Sequence, residues 1–115
     1  MKIYHNPRCG KSREALALLR QNGIEPEVVE YLKTPLNAAQ LERLGVLLNL
    51  EPQAMLRTDE SLFKEKYKSL RLHPHEWLQV MSENPILIQR PIVAREHAAI
   101  IARPPELVLD FLKKK

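Results

Sequence analysis

His5-Asn6-Pro7-Arg8-Cys9-Gly10-Lys11-Ser12-Arg13 is the stretch from which the rest of the chain is read. A short apolar run, Ile3-Tyr4, precedes it, and an amphipathic helical pattern from Glu14 to Gln21 follows. The stretch therefore joins a strand to the start of a helix, and it holds the only cysteine of the chain. Unpaired backbone N–H groups converge at a helix N-terminus, and the helix dipole there favours negative charge. Both effects lower the pKa of a thiol, and the same N–H groups can hold an oxyanion. The expectation is a nucleophilic Cys9 in an anion-binding loop. A lone cysteine is commonly a small buried hydrophobe, but its neighbours here point elsewhere. Asn6-Pro7 and Gly10 form turns, and Arg8, Lys11 and Arg13 bring cations close. Ser12 carries a hydroxyl that can donate to a thiolate or cap the helix.

Outward from this loop, Lys2 to Tyr4 reads as a strand and Lys11 to Gln21 as a helix with Ala15, Leu16 and Leu19 inward. Asn22-Gly23 ends the helix. Glu27 to Tyr31 reads as a second strand, and a strand–helix–strand unit of this length implies a parallel pair with a right-handed crossover. From Pro35 to Asn84 the pattern is helical. Asn37 caps a run to Asn49 with Leu41, Leu44, Leu47 and Leu48 as its apolar face, and Pro52 opens a short turn near Met55-Leu56. Asp59 starts a helix through Tyr67, and Pro74 starts one through Ser82 carrying Trp77, Leu78 and Met81. Strands resume at Arg90-Pro91-Ile92-Val93 and at Ala98 to Ala102, joined tightly by Arg95-Glu96-His97. Pro105 then opens a last helix, Glu106 to Lys113, with Leu107, Val108, Phe111 and Leu112 inward. The order predicts a thioredoxin-like α/β fold. It has a four-stranded mixed sheet and a helical layer, at about 35–84, inserted between the second and third strands of a single domain, 1–115.

Composition bounds the function. At 115 residues with a hydrophobic fraction of 44%, this is an ordinary globular domain able to bury a core. One cysteine excludes an internal disulfide or a CxxC redox pair, so any disulfide step needs a thiol from outside. No apolar run approaches a membrane span, and the N-terminus has no signal-like apolar region. The expectation is a soluble cytoplasmic monomer, in a compartment where thiols stay reduced. A net charge of +4 without a basic, aromatic-studded stripe does not call for nucleic acid. Lys113-Lys114-Lys115 reads as a solvated tail.

Other motifs fail on a residue. Gly10-Lys11-Ser12 resembles the end of a P-loop, but the first glycine would stand where His5 is. A tyrosine-phosphatase loop would need arginine at position 15, which is Ala. Zinc wants four ligands, and His5 with Cys9 has no second pair, so no metal is expected. His73 and His75 flank Pro74 as exposed or capping residues. Arg57, Arg90 and Arg103 each stand at an element boundary, where loops build sites. Arginine grips tetrahedral oxyanions in bidentate fashion.

His5-Asn6-Pro7-x-Cys9-Gly10-x-Ser12-Arg13 resembles the signature of the glutaredoxin-coupled arsenate reductases. So does the second signature, Asn84-Pro85-Ile86-Leu87-Ile88-x-Arg90-Pro91-Ile92-Val93 followed by Arg103-Pro104-x-Glu106. The resemblance covers nearly the whole chain. It implies that Cys9 is the nucleophile, that Arg57, Arg90 and Arg103 hold the oxyanion and stabilise the thiolate, and that His5 and Ser12 support the thiol. It also implies a cis Pro91 facing Cys9. The implied reaction is attack of Cys9 on arsenate, reduction to arsenite by glutathione as co-substrate with no bound cofactor, and resolution of the Cys9–glutathione disulfide by glutaredoxin. Two other readings stay in view. One is a thiol-disulfide oxidoreductase acting on another substrate, for which an arginine trio has no use. The other is an RNA polymerase-binding transcription regulator of the same family, a branch that typically carries CxxC where this chain has Ser12.

Overall fold

The computed structural model describes residues 1–113, so Lys114 and Lys115 of the tail lie outside it. By Cα proximity the chain divides into two compact units, 1–34 with 90–115, and 35–89.

The first unit holds a sheet ordered β2-β1-β3-β4, with β1 Lys2–Tyr4, β2 Glu27–Val29, β3 Ile92–Arg95 and β4 Ala98–Ile101. β1 pairs parallel with β2 and antiparallel with β3, and β3 pairs antiparallel with β4. Helix α1, Gly10–Gln21, supplies the crossover between β1 and β2. Gly23 closes it with φ of 79°, a conformation that costs glycine little. Two apolar stripes, from α1 and from the terminal helix (Leu107–Lys113), bury Ala15, Leu19, Val108 and Phe111 against Ile3 and Val93 of the sheet and Ala102 just past β4. The second strand is shorter than its apolar run suggests. Past Val29 the backbone turns, with the Lys33 and Thr34 N–H groups donating to the Glu30 carbonyl.

The second unit is the inserted helical segment. Helix α2, Ala38–Leu48, is held at its start by Asn37, whose side chain accepts from the Gln40 N–H at 2.8 Å. The Gln40 side chain accepts the Asn37 N–H in return, at 2.9 Å. A 3-10 turn, Pro52–Met55, leads to α3, Ser61–Lys66, and then to α4, Pro74–Glu83. Helix α3 is shorter than the expected Asp59–Tyr67: Glu60 is its extended N-cap residue and Tyr67 its C-cap residue. Leu41, Leu44, Met55, Trp77, Leu78 and Met81 are buried. The segment ends later than expected. A second 3-10 turn, Pro85–Leu87, and a bridge between Leu56 and Ile88 tie the chain to Gln89 into it. In chain order the terminal helix is α5.

Candidate active site

Strand register assembles the site. Tyr4 stands opposite Val29 on one side and Ile92 on the other, and Ile92 stands opposite Ile101. The pairing continues one step past the strands, with the His5 N–H donating to Val29 O at 2.8 Å and the Ala102 N–H to Pro91 O at 2.9 Å. One end of the sheet therefore carries the exit of β1 into the Cys9 loop, the Arg90-Pro91 entry to β3, and the Ala102-Arg103 exit of β4. The Arg90–Pro91 bond is cis, as the resemblance implies, and the Arg103–Pro104 bond is cis as well.

Cys9 is the N-cap residue of α1, in an extended conformation. Its thiol is partly exposed and free. Burial pushes its pKa up. The Ser12 N–H, the Arg90 charge, a hydrogen bond from the Arg90 side chain and the Lys11 N–H together outweigh that, so the pKa lies below the ordinary thiol range. The Cys9 side chain makes no cap hydrogen bond itself; the helix start and Arg90 favour its thiolate through their positive polarity and charge.

The loop that presents Cys9 is tied at several points. The Cys9 N–H donates to Asn6 O at 2.9 Å, and the Arg8 N–H donates to Asn6 Oδ1 at 3.0 Å. Arg13 Nη1 reaches back to Pro7 O at 2.9 Å. Ser12 is fully buried, and its Oγ lies 2.6 Å from His5 Nδ1 while accepting the Asn6 N–H at 3.1 Å. The hydroxyl thus belongs to the loop, and the Ser12 backbone N–H serves the thiol. His5 is buried, and its pKa is lowered. Burial is the main cause; Glu30 opposes it, and Arg20 and Arg13 reinforce it. A neutral imidazole at neutral pH can pair with the Ser12 hydroxyl without bringing a charge into the interior.

Arg90 also has two buried nitrogens, Nε and Nη1, with no hydrogen-bond partner among the described residues. An arginine stripped of water on that side is a costly arrangement in the absence of an anion. Arg103 is exposed, and its N–H donates to Ile101 O at 3.0 Å. Arg57 lies in the unit spanning 35–89. Its Nη1 donates to Glu60 Oε2 at 2.7 Å, with Asp59 Oδ2 at 4.0 Å from Nη2. Strand register thus brings Cys9, His5, Ser12, Arg90 and the backbone of Arg103 to one sheet end, while Arg57 is engaged by carboxylates of its own segment. Sequence reasoning gives Asn6 and Arg13 only as a turn former and a nearby cation. Their loop-tying hydrogen bonds are an addition, signalled by nothing more than an Asn-Pro pair and an arginine one helical turn beyond Cys9.

The chain matches the ArsC family over residues 4–111. The chain belongs to the ArsC family. Among its relatives, the uncharacterized protein YfgD of Escherichia coli (strain K12) is 47% identical over 97% of this chain and 96% of its own length. The arsenate reductase of Rhizobium meliloti (strain 1021) is 43% identical over 96% of this chain and 79% of its own. The solved arsenate reductase from Vibrio cholerae superposes with a TM-score of 0.90 at 46% identity, covering 96% of this chain and 97% of that one. This ArsC-family chain shares the mixed four-stranded sheet and its helices with that structure.

Proposed function

We propose that this protein reduces arsenate to arsenite, with Cys9 as nucleophile, glutathione as reductant and glutaredoxin as resolving partner. The observation that carries this reading is the Cys9–Arg90 pair: a thiol whose pKa is lowered by the Ser12 and Lys11 N–H groups and by Arg90, beside an arginine with two further buried nitrogens that have no partner among the described residues. That arrangement offers a nucleophile and an oxyanion donor side by side.

Cys9 thiolate attacks arsenic, the S–As bond forms, and one oxygen leaves as water after protonation. Arg90 carries the charge that builds on the remaining oxygens, and Arg103 supplies a second cation at the same sheet end. Glutathione thiolate then attacks the Cys9 sulfur. The electron pair of the S–As bond departs with arsenic, which becomes arsenite, and a Cys9–glutathione disulfide remains. Glutaredoxin thiolate attacks the glutathione sulfur of that disulfide and returns Cys9 as thiolate. The chain holds no second cysteine to do this internally. The scheme requires a glutathione-rich, reducing compartment, which the cytoplasm supplies, and a single chain carries every residue it names.

The test is arsenite formation by the full chain with arsenate, glutathione and glutaredoxin, beside the Cys9→Ser variant. Turnover that needs Cys9 and falls when glutaredoxin is omitted is the expected result. Absence of arsenite, or a serine variant near wild type, overturns the assignment.

A further inference from the structure

The helical segment carries a groove that the chemistry at Cys9 does not use. It has a volume of about 610 Å³ and runs between α2 and α4, closed at one end by the chain after α2. Its floor includes the buried Leu41 and Leu78 and the bare backbone of Gly45. Gly45 makes the closed end possible. A Cβ there would stand 3.2 Å from the Leu50 carbonyl and 3.3 Å from Met55 Sδ, and the Leu50 N–H donates to Gly45 O at 2.9 Å. The fold-back leaves apolar surface outside: Val46 is 68% exposed and Leu50 36%.

The charge around this groove is one-sided. Glu42 and Glu51 line it, both exposed and neither in an ion pair among the described residues. Among the described residues no lysine or arginine lines it. The C-terminal end of α2, the negative pole of its dipole, points the same way. On the opposite wall the positive pole of α4 is already answered by its own Glu76, whose carboxylate accepts the His73 N–H at 2.8 Å. His75 brings a ring there, 5.8 Å from that of His73 and stacked on it.

We propose that this groove docks a protein segment carrying one or two apolar side chains flanked by lysine or arginine. The apolar floor and the exposed Val46 and Leu50 take the side chains, as in other helix-in-groove contacts. The two free carboxylates select the flanking charge and reject an acidic segment.

The test is a titration of the full chain, followed by its amide NMR signals, with two twelve-residue peptides. Both have leucines spaced three and four apart; one has lysine at the remaining positions and the other glutamate. The lysine peptide is expected to shift signals at 42, 46, 49–51 and 75 saturably, and to bind at least tenfold more tightly than its twin. The Glu42→Lys/Glu51→Lys variant is expected to reverse the preference, and Val46→Asp to weaken binding tenfold, with the reactivity of Cys9 unchanged in both as a check on the fold. Shifts scattered away from the groove, equal binding of the twins, or a charge-reversed variant that still prefers lysine overturns the proposal. Shifts at these positions that depend on protein concentration alone would assign the groove to a second copy of the chain and overturn it as well.

Discussion

Removing the Arg90 guanidinium is the sharpest probe of the Cys9 site. Arg90 acts on the thiolate by charge and by a side-chain hydrogen bond, while the Ser12 and Lys11 N–H groups belong to α1 and survive its loss. A hydrogen bond to a charged group contributes about 1.5–3 kcal/mol. Cys9 is partly exposed, so solvent screening argues for the lower end. That corresponds to a roughly tenfold fall in the thiolate-to-thiol ratio. Nucleophilicity rises as the thiol becomes more basic, with a slope of about 0.4–0.5, which returns about threefold of it. The two effects produce a crossing. With a small neutral disulfide reagent, Arg90→Ala is expected to react about threefold slower than wild type below both midpoints and about threefold faster on the alkaline plateau. Arg90→Lys, which keeps charge and loses the fork, should fall between the two. The assay is a full pH–rate profile for each protein. Superimposable curves, or a change of the same sign at every pH, would refute the idea that Arg90 tunes the thiolate.

Ser12→Ala should cost about 1–3 kcal/mol, because it leaves the buried His5 ring and the Asn6 N–H without their shared partner; urea unfolding reads this. His5 contributes a pH dependence of stability. Its folded pKa is lowered, so below about 6.5 the unfolded chain takes up a proton that the folded chain refuses. Stability is then full above that value and falls as the pH drops toward the folded pKa; His5→Gln should flatten this slope in denaturation measured from pH 7.5 to 5. Trp77 is buried against Phe63 and Tyr67, and its Nε1–H has no partner among the described residues. Trp77→Phe gives up ring area but also an unpaired buried donor, so its cost should stay below about 1.5 kcal/mol, against about 3–5 for Trp77→Ala. A phenylalanine variant as unstable as the alanine one would show that the N–H is satisfied after all.

Much of the fold is legible because its boundaries are local chemistry. Asn37 with Gln40, Gly23, Pro52 and Pro74 each start or stop an element through their own backbone preferences, and the structure puts the breaks there. The errors fall where a distant side chain or turn decides. Glu30 and Tyr31 look like strand, but the Glu30 carbonyl is spent on the turn at Lys33 and Thr34. Asp59 and Glu60 look helical, but Glu60 stays extended as the N-cap of α3 while its carboxylate takes Arg57. The site divides in the same way. The Cys9 loop and its dipole can be read from nine consecutive residues. That Arg90 is the cation acting on the thiol cannot, since Arg8, Lys11 and Arg13 are all nearer in sequence. Only the antiparallel pairing of Tyr4 with Ile92 brings it there.

That pairing has a consequence for the newly made chain. Cys9 is synthesised before its arginine, the β3 strand that follows that arginine and the β4 strand that braces it. α1 can form early and lend its N–H groups, but the contribution of Arg90 to the thiol waits until β3 is made. An incomplete product, cut short before residue 90, would carry a cysteine no more acidic than a helix start makes it. Translation thus supplies the cysteine before the arginine that acts on it.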